Sequence, residues 1–551
     1  MKKNNSFVFG VNPDIKKRRS RFKLPYSHKT TINVGDLVPI YLQEIYPGDT
    51  FKGQTDFVCR TTSPFVKVPM DNLFVDIAYF WVPNRLVLDT WKNVMGENTE
   101  SAWIPEQEYS VPQVKINGVR DIRNISNYFG IPYGSTVDKV SALPFRAYAL
   151  IYNEFWRDQN LIDPVFIHKN SVELTLNTND FGPNNYVGKV AKACKLHDYF
   201  TTCLPGTQKG TSPTLPIVGT APVKTSTSPQ VTGQQPALQI KNISGGSPTN
   251  EFLNQGIGLA TRSTSGATVG YGIFEGSESL TGVTQLYPSN LYADLTDGSV
   301  NTGTINDLRL LFAIQKMYEL DSRSGTRYRE SIYSYFGCTS PESVQQVPEY
   351  LGGKRIPITI TQVNGTGSDN LAEISSNSLS GGYSGYSKSF TEHGFVVGVA
   401  VIRQLHTYQQ GIERFFFRKN RLDFYNPLFA HLGEQVVSKK ELFAFGSNTT
   451  ENDSVFGYQE PYADLRYRPS IITGGLSSLA DYNLDFYHFG DFYDSNPVLG
   501  EEFIKETDIY VNRTLTVDSD ALPQFIFDFY HNFEAVRVLP LYGIPGVIAH
   551  M

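Results

Sequence analysis

The run FVDIAYFWVP at residues 74–83 is apolar on both faces, and a strand of that kind belongs inside a sandwich rather than at its surface. Other segments alternate. In RIPITITQV, Ile356, Ile358 and Ile360 fall on one face; in DIYVNRTLTVD, Ile509, Val511, Leu515 and Val517 oppose Asn512, Thr514 and Thr516. GFVVGVAVIRQL and QFIFDFYHNF add buried or half-buried strands. These segments lie far apart with long connections, the layout of a mainly β sandwich or jelly roll whose loops have grown into much of the mass. At 551 residues the chain exceeds the roughly 250–300 at which one core stops growing, so it holds several domains or one domain with long insertions.

Two helices are expected among the insertions. In LPFRAYALIYNEFWRDQNLIDP, Phe145, Tyr148, Tyr152 and Phe155 recur at helical spacing, Pro144 suits the first turn and Asp163-Pro164 marks the far boundary. In GTINDLRLLFAIQKMYELDSRSG, Thr304 with Asp307 reads as a capping box, and Leu310, Ile314 and Met317 form a stripe. Both stripes read as core rather than as cofactor pockets. Between Cys203 and Thr304 the composition changes: residues 205–249 hold 26 Ser, Thr, Gly or Pro in 45 positions, with Lys209, Lys224 and Lys241 the only charges. Residues 205–303 therefore read as a flexible linker or a surface insertion, and the scattered Ile217, Val218, Leu238 and Ile240 favour an insertion ordered against its neighbours. No fixed-period repeat points to a solenoid or propeller.

Charge is segregated. Through Thr31 the chain carries nine basic residues against Asp14, a formal +8, while the whole is −6, so the remainder is acidic. Residues 1–31 read as a basic arm for a polyanion, too poor in aliphatics to fold alone, attached to a body kept in solution by self-repulsion. Within KKRRSRFK, the cations Lys16, Lys17, Arg18, Arg19, Arg21 and Lys23 meet phosphate, and Phe22, with Tyr26 beyond it, supplies rings for unpaired bases. No apolar run approaches the ~18 residues of a membrane span, and no signal-peptide pattern opens the chain. Cys59, Cys194, Cys203 and Cys338 lack CxxC spacing and read as free thiols made in a reducing compartment.

The search for turnover chemistry is mostly negative. EYLGGKR around Lys354 has Pro348 where a phosphate loop needs its first glycine and no Ser/Thr after the lysine. The nine histidines are dispersed without HExxH spacing, so neither a metal nor another cofactor is expected. Cys194 near His197 reads as packing rather than a nucleophile. Asp485, Asp491 and Asp494 among the aromatics of LDFYHFGDFYDSNP would suit a glycoside hydrolase or glycan-binding sandwich, the alternative reading, although such loops are also found at subunit contacts. A nucleic-acid-binding regulator is a third. The sequons at Asn124 and Asn242 matter only if the chain is secreted. No catalytic residue is assigned.

Five blocks carry a resemblance: HKTTINVGDLVPIYLQEIYPGDTF (28–51), PMDNLFVDIAYFWVPNRLVLDTW (69–91), ALPFRAYALIYNEFWRDQNL (142–161), INDLRLLFAIQKMYELDSRSGTRYRE (305–330) and PEYLGG (348–353). In this order they closely resemble the major capsid protein of Microviridae, particularly the gokushovirus branch. FVVGVAVIRQLHTYQQGIERFF and VLPLYGIPG resemble it more loosely. The resemblance implies an eight-stranded viral jelly roll with large insertions over 32–551. It implies a bacteriophage virion whose T=1 icosahedral shell of identical subunits encloses single-stranded DNA, with 205–303 as a threefold protrusion and host-attachment region. It further implies synthesis in the bacterial cytoplasm, a host surface receptor, and small basic DNA-binding and internal scaffolding proteins as partners, with no membrane insertion. Family members vary before HKTT, and KKRRSR is more basic than their pattern, so DNA contact by the arm follows from charge alone.

Overall fold

The computed structural model describes residues 19–95, 109–118, 120–175, 181–210, 346–364, 374–430, 433–444, 449–482 and 484–542, with the strand pairs and helix of 217–324 named below. The chain divides into two compact units, Met1–Lys209 with Glu319–Met551, and Gly210–Tyr318.

The first unit is built on nine strands: β1 (Ser20–Ile32), β2 (Val38–Ile45), β3 (Thr50–Thr61), β4 (Leu73–Pro83), β5 (Glu349–Ile358), β6 (Ile360–Asn364), β7 (Ile374–Ser389), β8 (Gly394–Gln404) and β9 (Phe525–Arg537). They form two antiparallel sheets, ordered β1-β9-β3-β7-β6 and β5-β4-β8-β2. FVDIAYFWVP, GFVVGVAVIRQL and QFIFDFYHNF are strands as expected. The sandwich counts nine strands rather than eight because RIPITITQV crosses from one sheet to the other at Thr359, whose N–H donates to Ser380 Oγ at 2.7 Å.

Alternate residues of β4 serve two layers. Tyr79 points between the sheets, 6.2 Å from the Phe533 ring of β9 and 5.3 Å from that of Tyr386 in β7. Phe80 points the other way, 4.6 Å from Phe155, which follows the helix α1 (Leu143–Ile151). Helix α1 covers the four-stranded sheet, with Phe145, Tyr148 and Tyr152 buried as the stripe predicts and the Tyr148 hydroxyl donating to Leu37 O at 2.6 Å. Its regular part ends sooner than Asp163-Pro164 suggests, in a π-turn over Tyr152–Trp156. Two coverings explain why β4 and β8 are buried at nearly every position. β1, β3 and β9 alternate because the outer face of their sheet is open. Each core side chain contributes about 1.5–3 kcal/mol. Gly398 fits in β8 because a Cβ there would meet Tyr79 at 2.8 Å and Tyr41 at 2.9 Å.

Two expectations fail. DIYVNRTLTVD is not a strand: Ile509–Asn512 is a helical turn, with Val511 and Leu515 buried but Ile509 and Val517 exposed. Its polar side chains make local bonds that compete with a ladder: Thr514 Oγ1 donates to Val511 O and Asn512 Nδ2 to Ser519 Oγ, both at 2.7 Å. The second helix forms as α2 (Ile305–Ser324), but Leu310 and Met317 are exposed and Ile314 half-buried, so the stripe is not core. Thr304 lies outside the described residues.

In the second unit the insertion pairs with itself. Ile217–Val218 pairs with Asn301–Thr302, Val223–Thr225 with Leu291–Ala293, Ile240–Asn242 with Leu286–Pro288, and Gly258–Thr264 with Ala267–Phe274, all antiparallel. The pairs are nested, so the described strands between 217 and 302 form a ribbon two strands wide. Each of these sheets is two strands wide, too small to bury a helical stripe alone.

Candidate assembly and nucleic-acid surfaces

The basic segment is not all arm. From Ser20 onward it is β1, the edge strand of the five-stranded sheet, paired residue for residue with β9 from Ser20↔Arg537 to Ile32↔Phe525. The expectation of an unfolded tail through Thr31 is therefore corrected. RFKLPYSHKTTI alternates, and the C-terminal strand gives its apolar positions a place to be buried that composition does not reveal. Pro25 is tolerated because an edge strand need not donate on both sides.

Pairing divides the candidate DNA-contacting residues between two faces. Arg21 and Lys23 project from the open face, as does Lys29. Phe22 is half-buried on the opposite face, together with Leu24 and His28, and Tyr26 lies 4.6 Å from the His531 ring. The rings do not stand among the cations, because residues adjacent in a strand point to opposite sides. Arg21 pairs with Glu534, and Lys29 with Asp528 at 3.2 Å. Arg19 is exposed just before the strand; Lys16, Lys17 and Arg18 lie outside the described residues.

The open face extends across the sheet beyond anything the arm's sequence signals. Lys52 and Arg60 of β3 are exposed there, and Tyr530 of β9 and Tyr383 of β7 stand in one row on either side of Asp56. The alternating Ile526, Asp528, Tyr530 and Asn532 were the signal that could have found it.

The carboxylates offered for carbohydrate chemistry are not gathered into a groove. Asp491 is completely buried: it accepts from Tyr493 Oη at 2.9 Å, lies 2.7 Å from His406 Nδ1 and 3.2 Å from Lys195 Nζ. His406 Nε2 is 3.2 Å from Glu506, also buried. Burial alone would push His406 down, but the Asp491 and Glu506 carboxylates outweigh it and hold the imidazole up to about 9. Burial likewise opposes ionisation of Asp491, yet His406 and Lys195 keep it well below the usual carboxylate range. Two cations and two anions thus balance in a site sealed from any substrate. Asp485 accepts from Ser478 Oγ at 2.6 Å, and Asp494 is exposed.

Remaining candidates resolve into structure. Burial pushes the Cys194 thiol up to about 12, its Sγ accepts from Asp158 N at 3.2 Å, and His197 faces solvent, which disarms it as a nucleophile. Cys59, Cys194 and Cys203 are free thiols; Cys338 lies outside the described residues. Lys354 lies over the Tyr383 ring at 4.2 Å, within β5. Asn124 is buried, its side chain capping Ile125–Tyr128, and so cannot carry a glycan. Among the described residues no group of His, Cys, Asp and Glu is placed to hold a metal, and no helix is long and apolar enough to cross a membrane.

The comparisons cover nearly the whole chain. A family model described as "Capsid protein (F protein)" matches residues 13–547. The capsid protein VP1 of Bdellovibrio phage phiMH2K is 36% identical over 556 residues, covering 99% of this chain and 98% of that protein. VP1 of Spiroplasma virus 4 is 36% identical, covering 96% and 95%, and VP1 of Chlamydia phage 1 is 34% identical, covering 98% and 97%. The sandwich, its open sheet and its ribbon are therefore those of a structural protein rather than an enzyme, and the chain belongs to the phage capsid F protein family, as a major capsid protein of the gokushovirus branch of Microviridae.

Proposed function

We propose that copies of this chain close into a T=1 icosahedral shell around single-stranded DNA, with the open face of the five-stranded sheet and the arm turned to the cargo and the ribbon turned to the host. One observation carries the DNA side of this reading: the basic run leads into β1, whose Lys23 stands on the open sheet face with exposed Lys52 and Arg60 of β3. Cations turned inward offset phosphate repulsion, while an acidic body avoids holding nucleic acid outside. Arg21 and Lys29 already have acidic partners, so the phosphate-neutralising charge rests with Lys16, Lys17, Arg18, Arg19 and Lys23, each contact adding about −0.7 to the salt slope for a single strand. Small basic DNA-binding proteins and internal scaffolding proteins are the further partners of such a shell, and buried free thiols suit synthesis in a bacterial cytoplasm.

The experiment is a deletion of residues 2–18, which stops short of β1. The expected product is a shell that forms normally and retains less DNA; undiminished DNA content removes the arm's role. A longer deletion through Lys23 would also strip four residues from β1 and confound packaging with folding. Attachment is tested by removing the ribbon. Ile217 and Thr302 are ladder partners, about 5 Å apart, so a short Gly-Ser link can join them. Shells that assemble but no longer bind host cells support an attachment role; unimpaired binding rejects it.

A further inference from the structure

Among the described residues of the first unit, 412–429 hold a conspicuous apolar surface. Phe416 is 70% exposed, Leu422 68% and Leu428 80%, with Phe424 and Tyr425 more than half exposed beside them. Floppy loops often show apolar residues, but this one is fastened. It consists of three 3-10 turns, Arg414–Phe417, Arg421–Asp423 and Pro427–Phe429. Asp423 accepts from Lys419 N at 2.8 Å and from Asn420 N at 2.7 Å, and Asn426 Oδ1 accepts from Leu428 N at 3.0 Å. Arg418 pairs with Asp464, and the Tyr425 ring meets Tyr462 edge-on at 5.0 Å. These bonds fix a segment that keeps Phe416, Leu422 and Leu428 facing outward, an arrangement that is unfavourable in water and favourable when covered.

We infer that this segment is a preformed knob that seats on a second copy of the same chain, against the acidic apolar surface formed by Ile509–Asn512 and the turn that follows it. That surface carries exposed Ile509, Val517 and Leu522 with Asp518 and Asp520 among them. It too is locally fixed: Ser519 Oγ donates to Asp508 at 3.0 Å, and Ala521 N and Leu522 N donate to Asp518 O. Exposed charge on the knob is mainly basic, Lys419 and Arg421, with Asp423 turned back onto its own backbone. Opposite charges rimming apolar centres match. A twofold contact of the knob with itself would bring Lys419 and Arg421 against their own copies, so the pairing is between unlike surfaces, the kind that closes rings. The inference rests on the assembly of identical subunits and not on DNA binding.

The test uses the full chain with association read by sedimentation and electron microscopy, and DNA content measured separately. All substituted residues are exposed, where changes away from packed features alter stability little, and a thermal melt confirms the fold. K419E/R421E is expected to weaken association about tenfold or more, D518K/D520K to do the same, and the two swaps combined in one chain to restore it. Wild-type association by either single swap overturns the proposal, as does a folded combined variant that stays unassembled. Leu428→Asp gives an independent reading: normal shells from a folded L428D subunit would show that the knob is not covered. A knob variant whose shells close normally overturns this contact whatever their DNA content, while DNA content itself reads the arm through the deletion of residues 2–18.

Discussion

His406 and His531 are both buried, and their surroundings drive them in opposite directions. His406 lies between two carboxylates and is held up to about 9; His531, in the aromatic interior near Tyr26 and Tyr41, is pushed down to about 4 by burial. The Tyr79 hydroxyl donates to Thr55 Oγ1 at 2.6 Å, Thr55 Oγ1 lies 2.8 Å from His531 Nδ1, and His531 Nε2 has no hydrogen-bond partner among the described residues. The unfolded chain takes up a proton on each histidine near 6.5. For His531 the native state refuses that proton, so stability is full above 6.5 and falls as pH drops toward 4, by at most about 3 kcal/mol. For His406 the native state holds the proton longer, so its contribution is full below 6.5 and is lost as pH rises through 9. Urea melts across pH 4–9 should give a stability maximum near 6.5, and His531→Phe should flatten the acid limb while leaving the alkaline one. Neither histidine was legible in the sequence. His406 meets partners 85 and 100 residues away, and no spacing rule spans such distances. Arg146 was equally invisible: it is completely buried and donates to Tyr186 Oη and to the carbonyls of Val87, Asn170 and Val172. Arg146→Lys cannot reproduce that fork and should cost about 3 kcal/mol, visible as a lowered urea midpoint.

At the scale of elements, legibility followed the number of covered faces. β4 and β8 are buried on both sides, and their long, mostly apolar runs announced them despite Asp76; β9 alternates cleanly and did so too. DIYVNRTLTVD shows the limit, because alternation over so short a stretch does not outweigh Asn and Thr side chains that bond to their own surroundings. β1 failed differently: its charges spoke for a free arm, while its pairing depends on a strand 513 residues away between Arg21 and Glu534. Charge neutralisation across strands has the same non-local character. Asp76 of β4 accepts from Arg355 of β5 at 2.7 Å and pairs with Arg403 of β8, tying three strands by one carboxylate. Asp76→Asn should therefore lower stability by more than a surface ion pair would, and by less in the double variant with Arg403→Met, a non-additivity that a double-mutant cycle measures. Gly398→Val is expected to cost about 1–3 kcal/mol in a denaturant melt, since Tyr41 and Tyr79 already occupy the space a side chain needs.

For the whole molecule, the class of fold and the family could be read from sequence, whereas its working surfaces could not. Five long blocks identified a capsid subunit; which faces are open depends on how layers stack, and the knob at 412–429 gave no periodic signal because its 3-10 turns have none. The sheet order carries one more implication. β9 lies between β1 and β3, so two strands made early wait for one made about 500 residues later. At about 5–20 residues per second, the interval between Arg21 and Glu534 is roughly 25–100 s of translation. A nascent chain still on the ribosome has no finished five-stranded sheet to offer a neighbour. Until β9 is made, the five-stranded sheet lacks the strand that joins β1 to β3.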